Sequence, residues 1–241
     1  MERNFQKNGL VNLAVLLVVG VAGYAASRYA NSLGGQAAMV FVGLGSLIAA
    51  VSWFQMRLED RERLEKMEFD EMTKTGGASS LFNTQEVEAF PARRAREQFE
   101  RYFVPGFTVL LLLLEGGAAW WLWNWLARPA TVALQQPLVA MALLGLLALI
   151  LFMVGKYSAG IARLEKERLL APGSSWLLLG SYLLALVVAG VAFVQAGFPN
   201  VDLYLGRALC GLLAVSALES FFGLVLELYR PRVKGKVARV L

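Results

Sequence analysis

Histidine is absent from this 241-residue chain, and cysteine occurs once, as Cys210. Without histidine there is no His-ligated haem, no His-containing zinc site and no His-based triad, because the ligand or base itself is missing. A lone cysteine cannot close an intrachain disulfide, and one inside an apolar run reads as a small core residue. Charge is scarce as well. Asp, Glu, Lys and Arg make up 17% of the residues, below the usual quarter, and they come in blocks. The chain also lacks a glycine-rich phosphate loop opening a soluble helix, a paired metal-ligand spacing and a nucleophile–base set. Polar residues near the ends of the apolar runs reduce to Asn124, Asp202 and scattered serines. These absences predict a protein that is not an enzyme, with no catalytic residues, no cofactor and no metal.

What remains is mostly apolar. Hydrophobic residues make up 57% of the chain and the mean hydropathy is positive, which does not read as a soluble domain. Six apolar runs, at 9–27, 37–56, 107–126, 138–157, 176–196 and 204–228, are each about long enough to cross ~30 Å of hydrocarbon as a helix. Short polar or proline-bearing turns separate them at 28–36, 127–137 and 197–202. The predicted fold is all-α: a polytopic membrane protein with six transmembrane helices as three hairpins, at 1–56, 102–157 and 173–229. Charged cytoplasmic helices fill 57–101, a short cytoplasmic connector covers 158–172, and a basic tail closes the chain at 230–241. The basic start, apolar run and Ala25-Ala26-Ser27 also resemble a signal peptide. The length of the run and the second span close behind it favour a retained helix.

Residues 57–101 hold nine of the 23 Lys and Arg and eleven of the 18 Asp and Glu, so they cannot sit in hydrocarbon. Residues 57–72 are expected to continue the second helix into water, with Glu59/Arg63 and Glu62/Lys66 as i,i+4 pairs in the favourable order. A coiled-coil contact is the lesser reading, since the apolar positions make no clean heptad. Gly76-Gly77 and small polar residues over 73–80 form a flexible link. Pro91 suits the first turn of a helix. After it, Ala92, Ala95, Phe99 and Tyr102 or Phe103 recur at roughly helical spacing among Arg93, Arg94, Arg96 and Arg101. That pattern predicts a helix lying on the membrane surface, its arginines against lipid headgroups, turning into the bilayer at Pro105 and Gly106. Arg230, Arg232, Lys234 and Lys236 of the tail are expected to meet lipid phosphates too.

Twenty of the 23 basic residues fall on one side of this topology, and only Arg28, Arg128 and Arg207 on the other. By the positive-inside rule both termini and the 57–101 segment are cytoplasmic. The net charge of +5 therefore points to anionic lipid rather than nucleic acid. The tetrapeptide RLEK recurs at 63–66 and 163–166 and suggests tandem hairpins. Any hairpin protein obeying the same charge rule would end its return helices alike.

Two carboxylates fall at membrane depth, Glu115 and Glu219. An ionised carboxylate at mid-bilayer costs at least ~2.5–3.5 kcal/mol on insertion scales, so such residues are rarely idle. One reading is a protonatable pair on an ion path. The other is a hydrogen bond to a neighbouring helix that fixes packing, with Gly116-Gly117 permitting close approach. Trp120, Trp121, Trp123 and Trp125 mark the far end of the third span, because indole rings prefer the headgroup boundary.

The stretch LELYRPRVKGKVARVL (226–241) resembles the junction in multi-span bacterial members of the stomatin–prohibitin (SPFH) family, the HflK-like modulators of membrane proteases. ARRAREQFERYFVP (92–105) resembles the same proteins. In that family a membrane-embedded N-terminal region runs into a soluble SPFH domain, and the sequence here stops at Leu241. The resemblance implies the membrane anchor part of such a protein, in a bacterial inner membrane, and carries no catalytic residues over. The expected function is a membrane anchor or scaffold that self-associates or holds protein partners. The competing expectation is a small transporter or channel using Glu115 and Glu219.

Overall fold

A computed structural model describes residues 3–75, 91–127, 134–164 and 170–229, and no strand occurs among them. The helices are α1 (Arg3–Tyr29), α2 (Leu33–Thr75), α3 (Pro91–Gln98), a π-helical segment (Phe99–Phe103), α4 (Val104–Leu126), α5 (Pro137–Leu164), α6 (Leu170–Gln195) and α7 (Val201–Tyr229). Six are long and apolar enough to cross a membrane. Helices are the expected answer, because in hydrocarbon each backbone polar group must be satisfied within its own segment. Proline occupies the first position of α3 and α5, where its missing N–H costs nothing.

Two turns end in the same motif for the same reason. After α6, Gly197 has φ +100°, Gly197 N–H donates to Val194 O (3.1 Å) and Phe198 N–H to Phe193 O (3.1 Å). The rings of Phe193 and Phe198 meet edge-on, 6.2 Å apart. This is a Schellman stop with its usual apolar clasp. After α1, Asn31 takes the left-handed position at φ 53°, and Ser32 N–H donates to Ser27 O (2.9 Å). Asparagine tolerates this conformation better than most side chains. Ser32 then serves α2 as its N-cap, accepting from Gly35 N–H at 3.0 Å.

Helix α2 is the axis of the bundle. It packs against α1, α6 and α7, touches α4, and is buried without interruption from Gly34 to Met39. Small residues there (Gly34, Gly35, Ala37, Ala38) let its neighbours approach from several sides, the condition for a helix apolar all round. Gly45 lies so near the Trp176 indole of α6 that a Cβ would come within 2.9 Å of it. The core around α2 includes Leu16, Val42, Leu177, Leu184, Leu209 and Leu213.

Of the three expected pairs, α1 with α2 and α6 with α7 are in contact, and α4 with α5 is not, among the described residues. Instead α5 lies against α6 and α1, and α4 lies against α7. Just before α5, Gln135 N–H donates to Ala30 O (3.0 Å), which sets the start of α5 beside the α1–α2 turn. The α1–α2 and α6–α7 turns and the start of α5 gather at one end of the bundle. At the opposite end Met56 of α2 packs with Ala162 of α5, and Ser158 of α5 donates to Asn12 of α1 (2.6 Å).

Candidate functional sites

Glu115 is the most buried charged side chain described, 1% exposed in the middle of α4. It stands in line with Ala119, Leu122 and Leu126, the buried stripe by which α4 meets α7. Ser216 Oγ donates to Glu115 Oε1 (2.9 Å) and Ser220 Oγ to Oε2 (3.1 Å). The two serines are four residues apart on α7, so one face of that helix presents a hydroxyl to each carboxyl oxygen. Further along the seam Cys210 Sγ lies 3.1 Å from Ala119 O, as its thiol donor, and Cys210 is buried. Near the turn end Arg207 reaches Leu126 O at 3.5 Å.

Glu219 does not join this cluster. It is exposed on α7, and Glu115 bonds Ser216 and Ser220 without it. Nor do Gly116 and Gly117 bring another helix close to Glu115; both are exposed, and nothing lies within 4 Å of where their Cβ atoms would be.

Asp202, in the first turn of α7, caps a helix other than its own. Its carboxylate accepts from Ser32 Oγ (2.8 Å), Leu33 N–H (2.6 Å) and Gly34 N–H (3.2 Å) at the start of α2. With Ser32 Oγ taking Gly35 N–H, the exposed donors of the first turn of α2 are all satisfied. The carboxyl group also faces the positive end of α2, the longest helix among the described residues. A side chain at position 34 would collide with this carboxylate, because a Cβ there would lie 2.9 Å from Oδ1. In the sequence Asp202 stands out only as a polar residue at the end of a turn, and its partners lie about 170 positions away.

Beyond the bundle, α2 continues to Thr75, past the expected end at Met72 and into the expected link, 43 residues in all and about 65 Å long. The polar part is not solitary. Helix α3 runs back along it in the opposite direction. Arg96 gives each guanidinium nitrogen a separate carboxylate: Nε to Glu100 (2.8 Å), Nη1 to Glu62 (3.1 Å) and Nη2 to Glu59 (3.2 Å). Glu65 accepts from Ala92 N–H (3.1 Å), which satisfies a free donor in the first turn of α3. Toward the bundle the contact becomes aromatic: Phe54 meets Phe99 at 5.0 Å, then Phe103 and Phe107 follow in a stack at 4.6 and 6.2 Å.

This arm corrects the surface-helix expectation. The chain does not turn at Pro105 and Gly106; helix is continuous from Pro91 to Leu126. The π segment makes that possible. Val104 N–H reaches back five residues to Phe99 O, and the wider turn just ahead of Pro105 absorbs its missing donor and ring bulk. The arginines divide as well. Arg96 is held by α2 and Arg93 pairs with Glu97 at 3.2 Å, so both face carboxylates, whereas Arg94 and Arg101 enter no ion pair among the described residues. Trp120, Trp121 and Trp123 are exposed and Trp125 is half-buried, with Trp121 and Trp125 stacked at 5.8 Å. Arg230, Arg232, Lys234 and Lys236 lie outside the described residues, as do Gly76-Gly77 and part of the second RLEK.

No protein-family model matches the chain, and no curated protein matches it.

Proposed function

We propose that the protein is a multi-pass membrane anchor and scaffold, without enzymatic activity, that holds protein partners or further copies of itself through the charged arm. In this reading the arm and both termini face the cytoplasm of a bacterial inner membrane, and the resemblance to HflK-like proteins adds a link to membrane-protease modulation. The single observation that carries the proposal is the clamp on Arg96. A protruding helix alone would wander, but three carboxylates around one guanidinium, a capped α3 and a phenylalanine stack hold two antiparallel helices in one orientation. A rigid polar projection on a membrane bundle suits docking.

The transport reading has less support, because both oxygens of Glu115 accept from serines and Glu219 is exposed outside that cluster. Purification in mild detergent followed by mass determination tests the scaffold. An assembly larger than one chain is expected, and a strict monomer without partners overturns the proposal. Reconstituted ion flux abolished by Glu115→Gln would reverse the ranking of the two readings.

A further inference from the structure

We propose that the junction of α2 with the π segment is a binding site for one anionic phospholipid, its phosphate held by Arg94 and Arg101 and its acyl chains lying on the phenylalanine stack. Two hollows adjoin there. One is polar and is lined by Arg94, Glu97, Gln98, Arg101 and Tyr102. The other is apolar, with Phe54, Leu58, Phe99 and Phe103 in its walls, and it shares Gln98 and Tyr102 with the first. A site polar at one end and apolar at the other matches an amphiphile. Its position, between the charged arm and the apolar span of α4, is where headgroup and chain part company.

Charge selects the kind of amphiphile. Glu97 of the polar hollow is paired with Arg93, so the cations that remain, Arg94 and Arg101, make the hollow net positive. They stand seven residues apart, two helical turns, on one face. Arg101 also lies over the Tyr102 ring at 5.4 Å, which keeps the guanidinium beside the groove. A planar guanidinium suits phosphate oxygens, while the trimethylammonium of a zwitterionic headgroup would meet like charge. The apolar half stays open to such a ligand: Tyr102 is 67% and Phe103 49% exposed. The inference requires that this end of the bundle meets headgroups, and it is independent of whether the arm docks a protein.

Native mass spectrometry of the full chain in detergent tests it, with phosphatidylglycerol, phosphatidylcholine of the same acyl chains, and inorganic phosphate added in turn. One phosphatidylglycerol per chain is expected to survive at concentrations where phosphatidylcholine does not. Arg94→Gln with Arg101→Gln should lower its occupancy by roughly tenfold or more, as two cationic contacts are lost. Arg94→Lys with Arg101→Lys should restore most of it, and Lys66→Gln, an exposed cation of α2 that lines neither hollow, should leave it within about twofold of wild type. Equal retention of both lipids, an equal loss from Lys66→Gln, or displacement of the lipid by inorganic phosphate would each overturn the site. Mutants that elute as the wild type does on size exclusion establish that folding is intact.

Discussion

Two carboxylates do different work in this molecule, and their surroundings say which. Asp202 accepts three hydrogen bonds, two from backbone donors that α2 cannot satisfy itself. Asp202→Ala leaves those donors and the Ser32 hydroxyl buried without their acceptor, a loss of about 2 kcal/mol. Thermal unfolding in detergent should show a clear fall in Tm for Asp202→Ala and a smaller one for Asp202→Asn, which keeps one acceptor oxygen. Equal stability of all three proteins would remove the capping role. Glu115 joins two helices that share little other polarity. Glu115→Gln retains an acceptor and a donor for the serines and should unfold near the wild-type temperature. Glu115→Leu should cost only about 1 kcal/mol, because an unpaired serine in a helix can turn to the carbonyl four residues back. The order wild type, Gln, Leu is the outcome to check; a Gln variant less stable than Leu would contradict it.

At the scale of elements, the arm owes its shape to one side chain's geometry. Arg96 is about a third exposed, so its ion pairs contribute modestly to global stability, roughly 0.5–1 kcal/mol. Their effect on orientation is larger. Lysine offers one point charge where the guanidinium offers three directed nitrogens, so Arg96→Lys should loosen α3 from α2 while the bundle stays folded. Spin labels at Arg61 and Arg94, both exposed, would report it as a broadened distance distribution, whereas an unchanged distribution would show that the phenylalanine stack alone suffices. That the helix of α2 continues through its charged stretch was legible in the sequence, but Glu59 and Glu62, read there as partners of Arg63 and Lys66, both bind Arg96. The partner helix was not legible, since the matching residues lie about thirty positions away, beyond a glycine-bearing link. The π segment was equally hidden: proline near a span's start reads as a turn, and only the packing of Phe99 and Phe103 favours widening the helix instead.

For the molecule as a whole, the bundle's two ends carry different chemistry, and that fixes what labelling should find. Cys210 is 3% exposed, so the natural thiol adds little background. A cysteine at Lys66, exposed on the arm, should react only from the cytoplasmic side, and one at Phe198, exposed in the α6–α7 turn, only from the other. Both reacting from one side would rule out the six-span arrangement. The native geometry already favours it: the α1–α2 and α6–α7 turns and the connector before α5 meet at one end, joined by Asp202 to Ser32 and Gln135 to Ala30.

Helix α2 and the helix from Pro91 to Leu126 run well past the limits read from the apolar runs. The number of spans and the blocks in which charge falls were nonetheless written in the order of residues, because the cost of placing a charge or a bare peptide group in hydrocarbon is paid locally. Which helix lies against which was not. Every span is apolar around its whole circumference, so periodicity marks no inward face, and neighbours are chosen by the fit of small residues and by a few polar contacts between distant positions. That is why α4 left its sequence neighbour for α7, and why the partners of Glu115, Asp202 and Arg96 became visible only once the chain was folded.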